Sequence, residues 1–223
     1  MRAALLLLAA CGPMESPLSV VDDLRVVDMV VDPASPAPGE VLAVQPVVLD
    51  GSGTGFETFV WWCVEDACGT DPVAPAPFVT VSALACAPGV CDGPPGDLAN
   101  PEAWLAGLPF EGVGLTQRRL PVSPSAEARI NVAPAWTDVP ALPASVGVGE
   151  EVQIALSGAD DQPLTAWLYV TAGSVPSASV ELEAGEGEIT WVAPDAPGMV
   201  SGVVILDDGA GGTAEASWTV DVR

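Results

Sequence analysis

The sequence predicts an all-β chain: two tandem β-sandwich domains behind a short export signal. Three observations carry that prediction. Glycine and proline number 23 each in 223 residues, above ordinary usage, while long helix-favouring runs are missing. Short Val-, Thr- and Trp-bearing segments recur between clusters of Gly, Pro, Asp and Ser, the mark of strands joined by turns. Five residues of the first half also return in the second at one constant offset: Pro33-Ala34-Ser35 then Gly39-Glu40, and Pro143-Ala144-Ser145 then Gly149-Glu150. Each copy leads into a Val-rich strand, a turn and a Trp-bearing strand, as two copies of one architecture would.

The first eleven residues set the compartment. Arg2 and the α-amino group form a positive region, and Ala3 to Ala10 an apolar one with small residues before Cys11. Eight residues rise only ~12 Å as a helix, too short for a ~30 Å hydrocarbon core. Leu8-Ala9-Ala10-Cys11 resembles the bacterial lipobox. That resemblance implies cleavage before Cys11 and acylation of it; two or more chains anchor stably where one does not. Gly12, with no Asp at that position, leans towards the outer membrane by analogy with lipoprotein sorting. The expected organisation is a signal peptide over residues 1–10, a lipidated tether over 11–23, and sandwiches over 24–133 and 134–223.

Strands are expected at Leu24–Val31, Glu40–Leu49, Glu57–Val64, Phe78–Leu84, Val113–Leu120 and Ala126–Val132. Pro46 lacks a ladder donor and belongs at an edge or bulge. Alternation puts Trp61 and Cys63 on one face and Trp62 on the other. Residues 65–77 form a Pro-rich loop, and residues 85–111 a long irregular stretch. Within it Asn100-Pro101 opens and Gly107 closes a one- or two-turn helix. In the second half strands are expected at Glu151–Ser157, Leu164–Thr171, Ser179–Glu183, Glu188–Ala193 and Met199–Leu206. The Met199–Leu206 run is continuously apolar and so central. The last strand turns Ala214, Ala216, Trp218, Val220 and Val222 inward.

About seven short strands per half is the immunoglobulin-like sandwich pattern, although the inter-sheet disulfide of antibody domains is missing. The run Val203-Val204-Ile205-Leu206-Asp207-Asp208-Gly209 resembles the last hairpin of PKD-like and cadherin-like bacterial surface repeats. The Pro-Gly-Glu-Val start and the Trp-Trp-Cys strand resemble Ig-like lipoproteins of Gram-negative bacteria. The resemblance implies an envelope module.

The net charge is −24, with no histidine and with six basic residues that are all arginine. Such a surface repels phosphate, which argues against nucleic-acid binding, and leaves the lipid as the membrane contact. Without histidine or lysine there is no Ser-His-Asp machinery, Schiff base or P-loop, so the expectation is a non-enzymatic protein. With Cys11 assigned to lipid, Cys63, Cys68, Cys86 and Cys91 form an even set in an exported chain and predict two disulfides. Three pairings are possible, the local ones being favoured. The spacing also permits a four-cysteine zinc site, which an oxidising compartment disfavours.

Two candidate sites follow. Asp160, Asp161, Asp207 and Asp208 lie in loops that cluster at one end of such a sandwich, with Asp138 on the incoming linker. Together they could hold a structural calcium ion; the alternative is plain turn chemistry. Trp104 and Phe110, in the irregular stretch, are the candidate binding aromatics, with Trp104 expected to be exposed. The expected role is a protein-interaction module presenting the stapled loop over residues 65–111, or a structural spacer; the partner is an envelope protein or, alternatively, a glycan, with no organic cofactor.

Overall fold

The computed structural model describes residues 19–64, 67–91, 101–109 and 111–223. Fourteen strands and one short helix lie among them. In the N-terminal half, β1 (Leu24–Asp32) and β2 (Ala43–Asp50) pair as a two-stranded sheet. It faces a second sheet in the order β4 (Ala67–Gly69), β3 (Glu57–Val64), β5 (Phe78–Cys86), β6 (Val113–Pro121). In the C-terminal half, β12 (Glu186–Val192), β9 (Glu151–Ala159) and β7 (Ala135–Asp138) form one sheet. The other runs β11 (Ser179–Glu181), β10 (Thr165–Val170), β13 (Gly198–Asp207), β14 (Thr213–Val222), β8 (Ser145–Val146). The short β8 lies parallel to β14.

The two halves repeat one strand order. β4-β3-β5-β6 recurs as β11-β10-β13-β14, and the β1–β2 pair recurs as β7–β9. That order is immunoglobulin-like. The repeated Pro-Ala-Ser…Gly-Glu motif makes the same turn twice. Gly39 and Gly149 both take a positive φ that only glycine accepts freely. Glu40 Oε2 accepts from Ala37 N and Glu150 Oε2 from Gly147 N, each three residues back. Each glycine N–H then reaches across to a carbonyl, Val73 O or Pro194 O.

Strand interiors follow the burial pattern. Between Val26 and Asp28 the register of β1 against β2 shifts by a bulge. The extra residue keeps Leu24 and Val26 on the core side and puts Met29 and Val31 there too. Pro46 sits opposite Met29 in β2, which pairs only with β1, the edge setting in which a strand accepts proline. At the end of β2, Asp50 accepts from Ser52 N, Gly53 N and Gly55 N and from the Ser52 hydroxyl. Burial pushes this carboxyl up, but the hydrogen bonds outweigh it and hold the group below its usual range.

The four sheets stack. One core lies between β1–β2 and the β3–β5–β6 sheet, around Met29, Trp62, Val79, Val81 and Leu120. Another lies within the C-terminal half, around Ile154, Leu168, Trp191, Val204 and Leu206. A third joins the halves: Val47 and Leu49, with Val27 and Val30, pack on Val203, Ile205, Trp167 and Tyr169. β13 is therefore buried on both faces from Gly202 to Leu206, which explains the apolar run there.

One expected strand needs correction. Residues 126–132 are not a strand. A tight bridge joins Ser125 and Ala128, and side chains then pin the segment: the Ser123 hydroxyl accepts from Ile130 N, and Ser35 bonds the Asn131 backbone. The halves meet face to face through this third core. Val20 bridges Val170, and Val21 N donates to Val170 O, so residues 19–21 run along the C-terminal half before β1 begins.

Candidate functional site

The junction between the halves is closed by polar groups at its rim. Arg118 on β6 reaches Asp28 with Nη2, at 2.7 and 2.9 Å to the two carboxylate oxygens, and Asp207 at 3.5 Å. Its Nη1 donates to Gly211 O at 3.1 Å. Thr213 donates to Met29 O, and Gln45 to Glu215, across the same seam. Burial pushes the Asp28 carboxyl up; the Arg118 charge opposes this, and Asp207 adds to it. Tyr169 sits on this interface, its phenol pushed up to about 12 by burial first and by the nearby Asp28 charge second.

One end of the stack carries a hollow of about 300 Å³ lined by Arg129, Ile130, Asn131, Val132, Asp160 and Asp161, among others. The linker forms one wall and the β9–β10 loop the other. Asn131 is the hinge of the arrangement: its Nδ2 donates to Asp208 at 2.7 Å, and its Oδ1 accepts from Gln162 at 2.7 Å. Arg129 forms a two-pronged pair with Glu40, which holds that carboxyl below its usual range. Burial pushes Asp160 up; the Gln162 N–H counters, while Asp161 and Asp208 add to the rise. Ile130 and Val132 are 58% and 68% exposed beside this hollow. It offers carboxylate acceptors next to open apolar side chains, and its arginine is already paired.

The five acidic candidates separate. Asp208 is 4% exposed and filled: Oδ1 accepts from Ala210 N and Gly212 N, and Oδ2 from Asn131. Asp207 turns towards Arg118 and accepts from Gly209 N. Asp160 and Asp161 line the hollow described above. Asp138 lies elsewhere, in a hollow of about 420 Å³ with Val139, Ser157 and Glu186. Among the described residues no group of three or more His, Cys, Asp or Glu side chains stands close enough to hold a metal ion.

The cysteines pair locally, Cys63 with Cys68 and Cys86 with Cys91. The first bond joins directly opposed residues of β3 and β4. The second closes the turn after β5. Between them the helix α1 (Pro101–Leu105) and Leu108 press onto the outer face of the sheet, over Trp61, Leu84 and Cys86. Trp104 belongs to this cluster and is half-buried, not exposed as the sequence suggested. None of the seven tryptophans is exposed. Phe110 and Cys11 lie outside the described residues. Sequence reasoning missed Asp28, Arg118, Asn131 and Tyr169. A charged pair inside otherwise apolar strands was the available signal.

No protein-family model matches the chain, and no curated protein sequence matches it. Among solved structures, the D00-D0 domain of Intimin is similar over 90% of this chain and 98% of its own, at 12% identity and a TM-score of 0.33. The D0-D1 domain of Intimin covers 88% and 98%, at 10% identity and 0.33. A Bacteroides ovatus mixed-linkage glucan utilization locus protein, SGBP-B, in complex with a mixed-linkage heptasaccharide, covers 91% and 48%, at 13% identity and 0.26. The strand order, not these likenesses, identifies the immunoglobulin-like arrangement.

Proposed function

We propose that this chain is a non-enzymatic, lipid-anchored envelope protein whose two immunoglobulin-like sandwiches, 24–133 and 134–223, act as one rigid body that presents a protein-binding surface. The observation that carries the reading is the hollow beside Asn131. Open Ile130 and Val132 flank fixed hydrogen-bonding groups there, on a scaffold held by an apolar interface. The absence of histidine and lysine supports the non-enzymatic part. The lipobox-like run ending at Cys11, after a signal over 1–10, supports anchoring in the outer membrane. A protein partner is favoured over a glycan because no tryptophan stands open for sugar stacking.

The test is fractionation and photocrosslinking of the intact lipoprotein. Cys11→Ser is expected to move the protein from membranes to the soluble fraction. A photoreactive residue at Ile130 is expected to trap a specific partner, and Val132→Asp to abolish that product. A Cys11→Ser protein that stays membrane-bound sinks the anchoring. A crosslink pattern unchanged by Val132→Asp sinks the binding surface.

A further inference from the structure

The outward face of β9 connects the two hollows described above. Along this strand the odd-numbered residues from Glu151 to Ala159 are open or half-open and those between them are buried, so the odd-numbered side chains share one face. Ala159 lines the hollow beside Asn131, and Ala155 and Ser157 line the hollow that holds Asp138. From Ala159 to Ala155 the strand rises only ~13 Å, so one extended segment of about four residues can reach both hollows.

The same chemistry recurs at each. Asp160 and Asp161 stand with Ile130 and Val132 at the first hollow, and Asp138 and Glu186 stand with Val139 at the second. Val139 is 66% exposed, as open as Val132. Glu188, opposite Ala155 on β12, extends the negative field along the face. Among the described residues the one basic side chain in the two linings is Arg129, and it is closed onto Glu40. Carboxylates beside open aliphatic groups, with no free cation, match a side chain that has a charged head on an apolar stem.

We infer that the binding surface runs along the outward face of β9 across both hollows and takes an extended, lysine- or arginine-bearing segment of a partner protein. This rests on the protein-binding reading given above and names the chemistry of that partner. The basic heads meet Asp160 and Asp161 at one hollow and Asp138 and Glu186 at the other, while Ile130, Val132 and Val139 cover the stems.

The test puts a photoreactive residue at Ile130, Val139 or Met199 of the full-length lipoprotein. The probe is a fluorescent peptide of alternating lysine and valine, compared with one of alternating glutamate and valine. The lysine peptide is expected to label through Ile130 and Val139 and not through Met199, which is 65% exposed on the other sheet. The glutamate peptide is expected to label through none of them. Asp138→Asn with Glu186→Gln should cut labelling through Val139 about fivefold, as loss of two rim ion pairs would. Asp22→Asn with Asp23→Asn removes the same charge elsewhere and should leave that labelling unchanged. Equal labelling through Met199, or an equal fall in both double variants, would show only a diffuse attraction of cations and overturn the inference. In cells, the partner trapped through Ile130 should be trapped through Val139 as well. If it is trapped through Ile130 alone, the surface proposed above stands and its extension along β9 is wrong. If no product forms through either position, both are wrong.

Discussion

Tyr169 is the single tyrosine of the chain, and it lies on the interface between the halves. Its ionisation therefore reports whether that interface is closed in solution. In the folded protein the phenol is held up to about 12, against ~10 in an unfolded chain. The perturbation is alkaline titration. A shift of ~2 units corresponds to about 2.7 kcal/mol between the protonation states. The folded pKa is the higher one, so the folded state keeps its proton while the unfolded state gives it up. The contribution is complete below ~10 and is lost as pH rises towards ~12. Midway, at about pH 11, roughly nine-tenths of unfolded but only a tenth of folded tyrosines are ionised. Tyrosinate absorbance at a series of pH values reads the midpoint directly, and urea melts at the same pH values read the stability loss. Tyr169→Phe should lack that stability slope. A midpoint near the unfolded value, in protein whose circular dichroism remains that of a folded β protein, would show that the halves do not stack in solution.

Other outcomes follow from the same structure. A Cβ at Gly202 would run into the Trp218 ring, which itself packs on Trp191 at 5.3 Å. Gly202→Ala is expected to cost about 1–3 kcal/mol, read as a lowered melting temperature, and an unchanged melt would mean the tryptophan moves freely. Arg118→Met strands Asp28 at the junction with only its Met29 N–H donor and should cost about 2–3 kcal/mol at neutral pH. Asp28 is already pushed up by burial, so in this variant the folded state binds its proton before the unfolded state does. The deficit should shrink as pH falls through the folded value; a deficit equal at neutral and mildly acidic pH would rule out charge burial as its cause.

Much of the fold was legible because the signals were local. β3 falls where alternation placed it, with Trp61 and Cys63 on one face and Trp62 on the other. The helix begins at Pro101, and the Met199–Leu206 run is the central strand β13. Local spacing also favoured the disulfide pairs that form. The short strands β4, β7 and β8 were not legible, since each is held by its neighbours and not by its own pattern. Residues 126–132 read as a strand by composition, but Ser35 and Ser123 satisfy their backbone groups instead. The stacking of the halves was the deepest miss. Val27, Val30, Val47 and Leu49 look like the second face of ordinary strands, and nothing in the sequence says that the face covering them comes from more than a hundred residues away. That same blindness scattered the acidic candidates, because the residue that orients Asp208 is Asn131, and the one that draws Asp207 aside is Arg118.

The stacking is heterologous: the β1–β2 face of one repeat lies on the β10–β13–β14 face of the next. Contacts of that kind have no built-in stop and, between separate molecules, grow into filaments. Here both free surfaces are blocked. The outer face of the first repeat is roofed by α1 and the two disulfide turns. The outer face of the last repeat presents Glu151, Gln153 and Glu188 instead of the Val and Leu of β2. The two stacked repeats thus differ in their outer faces, one roofed and one acidic, and neither offers a further layer the apolar Val and Leu surface that joins them to each other.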